Sequence, residues 1–377
     1  MIYVHVPFCR SFCTYCDFYS EVLPGSSPHS CLPDRYAADL CAEIDARREE
    51  IAATLSVNTL YIGGGTPSVL PLESLRRIVD TLGYGPYEEF TVEVNPEDIV
   101  EKGPDYVRGL LGLGVNRISM GVQSLDDGIL RWMNRRHDSA RAREAYRILR
   151  SASRSTPPVI PSQPSVILSQ PSVILSLPSV ILSLPKDLSV SVDLITGVPG
   201  MSDEILQNTI DEVIAWRPEH VSAYQLSIEE GSALATMIAR GEVREAPEEE
   251  CRRQYEMLCL LLREAGYHHY EISNWALPGH EAVHNSAYWT RRPYAGLGPG
   301  AHSLRIFPDG RQVRSWNSRK VSGWSAEGSE VLSAGEIREE GIMLGLRTDR
   351  GAEANGRRVV IPERDWFIAD DIIAGMI

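Results

Sequence analysis

Three cysteines within eight residues place the strongest constraint on this chain. Cys9, Cys13 and Cys16, spaced CX3CX2C within YVHVPFCRSFCTYCDFY, follow directly on a short apolar run. Their thiols can point at one centre only if the backbone loops around it, which is how a metal cluster is held. Thiolate is the usual ligand of iron–sulfur clusters, and a four-iron cluster with three local cysteines keeps one iron free of protein. An iron of that kind is reactive. Two other readings stand beside it. Zinc would need a fourth Cys or His at similar spacing, and the nearest candidate, His5, lies in an expected strand. A disulfide with one spare thiol would need an oxidising compartment, and nothing in the sequence points to one.

At 377 residues the chain can bury a full α/β barrel core and carry a second, smaller domain. Its net charge of −14 argues against a nucleic-acid partner and against adhesion to anionic lipid through bulk charge. No apolar run reaches the length of a bilayer span, and MIYVHVPFCR lacks the pattern of a secretion leader. Seven cysteines, an odd number with three clustered, fit a reducing cytoplasm. Cys31, Cys41, Cys251 and Cys259 are expected to be structural thiols, the last two within a helical pattern.

β-branched apolar runs recur along the chain, and each ends in Gly, Pro, Asn or Asp before a helical pattern begins. IYVHV leads into the cysteine loop, NTLYI into GGGTPS, FTVEV into NPED, and NRISMGVQS, SVSVDLI and VSAYQLSIEEGS continue the series. This is the rhythm of βα units around a parallel sheet. The polar and glycine-rich clusters all fall at strand C-termini, the active end of such barrels. The expected fold class is therefore α/β: a partial (β/α)6 TIM-like barrel over residues 1–246 and a smaller α+β C-terminal domain over residues 247–377. A doubly wound open sheet remains the alternative, since periodicity does not separate the two.

Residues 162–189 break the rhythm with tandem copies of SQPSVIL and SLPSVIL. A proline in each copy excludes a coiled-coil heptad, and the copies are too short for solenoid units. The repeat is expected to be an insertion in a surface loop between a helix and the fifth strand. Its uncharged SVIL segments are a liability for solubility.

Taken together, CX3CX2C after the first strand, GGGTP after the second and ExNP after the third resemble the radical S-adenosylmethionine (SAM) superfamily. More narrowly, PFCRSFCTYCDFYS, YIGGGTPS, VEVNPE, NRISMGVQS with its following RRH, VDLITGVPG, YEISN and HNSAYW resemble the HemW group of heme chaperones. The likeness runs from the start of the chain to about residue 350, interrupted by the repeat. The segment Gly345–Thr348 is followed almost at once by Ile361–Asp370, so the C-terminal region is expected to be shortened relative to that group.

The resemblance implies a radical SAM type of barrel and a set of roles. Cys9, Cys13 and Cys16 would hold a [4Fe–4S] cluster, and Tyr3 and Tyr15 would flank it. Gly64, Gly65 and Thr66 would contact the methionyl end of SAM, with Glu93, Gln123, Arg135 and Asp193 completing its site. His284, Tyr288 and Trp289 of HNSAYW would bind heme. Acceptor hemoproteins, membrane-associated ones included, would be the partners, nucleic acid would not, and homodimer formation stays open. The competing function is an oxygen-independent coproporphyrinogen III oxidase. Such oxidases usually carry a further cysteine two residues after the third and a longer N-terminal extension, whereas here Asp17 and Phe18 follow Cys16. A plain iron–sulfur electron carrier is the third reading, and it leaves GGGTP and ExNP without a purpose.

Overall fold

In the computed structural model, which describes residues 1–23, 32–155, 188–354 and 356–377, six parallel strands cross one sheet in chain order. They are β1 (Ile2–Val6), β2 (Thr59–Gly64), β3 (Glu89–Val94), β4 (Arg117–Gln123), β5 (Ser189–Thr196) and β6 (His220–Gln225). Each pairs in parallel with the next. Their apolar runs, such as Val92 and Val94 or Val190, Val192 and Leu194, are buried. A parallel sheet covered on both faces asks for such runs.

Helices Leu72–Leu82, Pro96–Gly112, Ser139–Ser155 and Asp203–Trp216 lie between successive strands from β2 to β6. The order never reverses from β1 to β6. A doubly wound sheet needs a point where the winding direction switches, and these six strands have none. The sheet is the wall of a partial (β/α)6 barrel.

Three short strands from later in the chain extend this sheet: β7 (His268–Glu271), β8 (Asn274–Ala276) and β9 (Ala295–Leu297). The full order is β9-β1-β2-β3-β4-β5-β6-β8-β7. β8 joins β6 antiparallel, and β9 runs parallel to β1 at the opposite side. Segments this short carry too little alternation to be read from sequence. Beyond them, Ala326–Leu332, Gln312–Asn317 and His302–Ile306 form a separate antiparallel sheet. Helix Ala334–Gly345 follows, opened by a capping box of Ser333 and Glu336.

Between β1 and β2 the chain forms two helices, Leu32–Ala46 and Arg48–Ala53. Arg47 sits at the break, where its guanidinium reaches Glu43, Glu50 and the carbonyl of Gly296 in β9. A tertiary anchor has overridden local helix propensity. Residues 162–187 of the tandem repeat lie outside the described residues, and Ser189, read as its last residue, is the first of β5.

Candidate functional site

The cysteine loop leaves β1 and is tied down on two sides. Phe8–Cys9 pairs with Glu21–Val22, closing the loop on itself. Asn134 donates to the Phe12 carbonyl at 2.6 Å and Thr14 Oγ1 to the Trp132 carbonyl at 2.9 Å, fixing its tip to the segment after β4. Among the described residues no cysteine is in a disulfide.

A chain of polar contacts links two of the three thiols. Cys9 Sγ lies 3.6 Å from Thr66 Oγ1, which accepts from Asn95 Nδ2 at 3.2 Å. Asn95 Oδ1 accepts from Arg135 Nη2 at 2.6 Å, and Arg135 Nη1 reaches Cys13 Sγ at 3.4 Å. Burial opposes the Arg135 charge, but Tyr15 and Cys13 beside it outweigh that and hold its pKa above the ordinary value. Burial pushes the Cys16 thiol up to about 11 and also raises Cys9. Three thiols grouped about one part-buried guanidinium, which contacts Cys13, suit a thiolate-held centre whose negative charge the cation offsets.

Glycines let the second loop approach the first. A Cβ on Gly65 would lie 2.6 Å from the Phe8 carbonyl oxygen, and Gly64 has φ +109°. Gly65 N donates to the Val6 carbonyl at 2.8 Å and Thr66 N to that of Phe8 at 2.7 Å. The GGGTP turn is thus stitched to the cysteine loop, and a side chain at either glycine would part them.

Both loops open on a cavity of about 820 Å³ running into the barrel. Tyr3, Tyr15, Gly64, Gly65, Thr66, Glu93, Gln123, Arg135 and Asp193 all line it with the three cysteines. Glu93 accepts from Tyr61 Oη at 2.7 Å and from Gly64 N at 3.1 Å. Burial, helped by nearby Asp193, nevertheless pushes its carboxyl up to about 7. Asp193, on β5, accepts from Ser119 and Ser191 and is likewise raised by burial. Gln123 ends β4 with φ +66°, and its Oε1 is buried without a partner among the described residues, as is Thr91 Oγ1 in the same cavity. Buried polar atoms left unpaired inside a cavity mark the place of a polar ligand.

Residues 3–163 match the model of the Radical SAM superfamily. A heme chaperone HemW from Mycobacterium tuberculosis is 30% identical over 410 residues, which cover 99% of this chain and 93% of that protein. The chain belongs to the HemW group of the radical SAM superfamily. The Escherichia coli heme chaperone HemW is similar at 31% identity, covering 86% of this chain and 75% of that one. Among solved structures, coproporphyrinogen III oxidase (HemN) from Escherichia coli, a radical SAM enzyme, has the same fold. It superposes with TM-score 0.67 at 19% identity, over 93% of this chain and 75% of that one.

The HemW motif HNSAYW forms the helix Val283–Trp289, at the N-terminal end of the strands. The N–H groups of Val283 and His284 donate to the Glu89 carboxylate at 2.8 and 3.0 Å, and His284 Nδ1 pairs with Thr59 Oγ1 at 2.8 Å. Thr59 and Glu89 are the first residues of β2 and β3, so this imidazole lies at the opposite end of the sheet from the cysteines. Burial drives its pKa down to about 3, and only 1% of it is exposed. Its Nε2 has no partner among the described residues, yet neither His284 nor Trp289 lines the cavity; of the motif residues assigned to heme, only Tyr288 does.

Two residues stand out that the motifs did not single out for a role. Asn95 bridges the Thr66 and Arg135 sides of the cysteine loop, and its place in ExNP was the available signal. His302 is exposed, lines the cavity and stacks on Trp316 at 6.0 Å. Nothing in its local sequence marks it.

Proposed function

We propose that the protein is a cytoplasmic heme chaperone that holds a [4Fe–4S] cluster on Cys9, Cys13 and Cys16. It binds SAM beside the cluster, takes up heme and hands it to acceptor hemoproteins. The observation that carries this reading is one cavity lined both by three uncrosslinked thiols and by buried polar atoms without partners. Among the described residues no helix is long and apolar enough to cross a membrane.

When bound, the cluster would supply an iron without a protein ligand, where the amino and carboxylate groups of SAM can attach. The chain's residues do the rest. Arg135 offsets thiolate charge, and Asn95 and Thr66 fix its orientation. Glu93, poised near neutral pH, gains from a ligand cation that stabilises its ionised form. Gln123 and the backbone at Gly64 and Gly65 offer hydrogen bonds, and Tyr3 and Tyr15 wall the site.

Heme, as cargo, needs an apolar face and an accessible iron ligand. Phe18 and Phe12, 72% and 54% exposed, line the cavity with the exposed His302. Exposed aromatic surface of this kind suits a macrocycle. His302 is the residue we assign to the iron, because His284 is buried off the cavity and its unpaired Nε2 is out of reach of a macrocycle held there.

The second reading is a coproporphyrinogen III oxidase, in which reductive cleavage of SAM would begin oxidation of a porphyrinogen propionate. Anaerobic protein with a reconstituted cluster, SAM and a reductant decides between them when offered heme in one assay and coproporphyrinogen III in another. Heme binding and transfer without porphyrinogen turnover is expected. Decarboxylated product would overturn the chaperone assignment.

A further inference from the structure

A second cluster of metal-ligating side chains lies away from the cavity. Cys259 comes from helix Glu248–Glu264, His269 from β7, and Glu363 from the first residue of the short helical turn Glu363–Ile368. One donor atom from each lies within 4.8 Å of the other two. None of the three lines the cavity of the cysteine loop.

Both neighbours meet the same ring nitrogen. His269 Nδ1 is 2.9 Å from Glu363 Oε1 and 3.9 Å from Cys259 Sγ. A thiol–imidazole–carboxylate relay uses opposite nitrogens of the ring, so this is not the geometry of an activated nucleophile. His269 Nε2 faces the Ile272 carbonyl oxygen at 3.5 Å. With the proton on Nδ1 the histidine and Glu363 share an ordinary hydrogen bond; with it on Nε2 the Nδ1 lone pair faces the carboxylate oxygen, and a positive centre between them would select that tautomer. Metal-bound histidines commonly have this arrangement, with the far N–H given to a backbone carbonyl.

The surroundings hold all three donors in place. His269 stacks on Trp275 at 3.9 Å and 15°, with Trp366 edge-on at 4.3 Å. Arg263 takes the second oxygen of Glu363 at 3.1 Å, leaving the first turned toward the histidine. Tetrahedral coordination at usual zinc bond lengths separates donors by about 3.3–3.6 Å, within reach of small side-chain shifts from the distances here.

We propose that Cys259, His269 and Glu363 form a site for a zinc(II)-type divalent cation, distinct from the cluster site. Sulfur, nitrogen and oxygen donors together select a borderline-soft ion over magnesium or calcium. A thiolate offsets one charge of the ion and the Glu363 carboxylate, shared with Arg263, part of the other, which suits a centre where Cys259 and His269 are buried. The bound ion joins the turn at Glu363 to the barrel edge, and a fourth coordination position is left for water.

The test uses the full chain, anaerobic and with its cluster reconstituted, alongside a Cys9→Ser/Cys13→Ser/Cys16→Ser variant that removes the competing thiols. After chelator dialysis both are titrated with cobalt(II) and with zinc(II). The expected result in both is about one ion per chain and a cobalt–thiolate absorption band. Cys259→Ser abolishes the band, and His269→Gln or Glu363→Gln weakens binding about tenfold or more while iron content and far-UV circular dichroism stay unchanged. Absence of the band in the chain with native Cys259, or its persistence in Cys259→Ser, overturns the proposal. The titration of unsubstituted protein decides even if a variant folds poorly.

Discussion

The two ends of the parallel sheet use the same strands and treat their polar groups in opposite ways. At the N-terminal end Thr59 and Glu89 pair with His284 and the start of its helix. These contacts are internal and tie the helix to the strands. At the C-terminal end the thiols, Arg135, Gln123 and Glu93 face a cavity. Packing one end against a helix and turning side chains of the other toward a cavity separates stability from binding within one barrel. A motif residue such as His284 has to be judged by the end on which it falls.

Breaking the C-terminal end should have the largest effect. Cys13→Ser removes one of the thiols proposed to hold the cluster and the Arg135 contact, and is expected to abolish cluster iron and its brown absorbance, measured by elemental analysis and visible spectroscopy. Full iron content in that variant would remove the cluster from this loop.

A pair of histidine variants sharpens the comparison. His302→Ala should weaken heme binding about tenfold or more in a spectral titration, a loss of ~1.4 kcal/mol. His284→Ala should instead lower stability by about 1–3 kcal/mol, because it leaves Thr59 unpaired in a buried site, with heme affinity unchanged. The reverse pattern would move the heme site to the other end.

The most gradual effect expected is in the pH dependence of stability. The folded-state pKa of Glu93 lies above its unfolded value, so the native state binds more protons between pH 4.5 and about 7. Stability therefore falls as pH rises through that window, by roughly 3 kcal/mol at most from this group, and levels off above it. Glu93→Gln should flatten this part of the Tm-against-pH curve and raise Tm above pH 7. An unaltered slope would place the titration elsewhere, Glu271 being raised in the same direction, to about 8.

Much of this was legible in the sequence because buried parallel strands read as apolar runs and the site residues follow them directly. Cys9, Cys13, Cys16, Gly64 and Gly65 carry their geometry in local spacing. What escaped depends on contacts across long stretches of chain. β9 is three residues long and finds β1 from the far end of the sequence. Asn95 gains its role only when Thr66 and Arg135 flank it. Cys259, His269 and Glu363 share no spacing at all, and Cys259 alone reads as one more structural thiol.

The most direct test of the central claim is the electron paramagnetic resonance spectrum of the reduced cluster, recorded anaerobically before and after SAM is added. An iron free of protein ligand beside Glu93, Gln123 and Arg135 predicts a spectrum that changes with SAM, with the change reduced in Gln123→Ala. A cluster signal indifferent to saturating SAM would contradict the account.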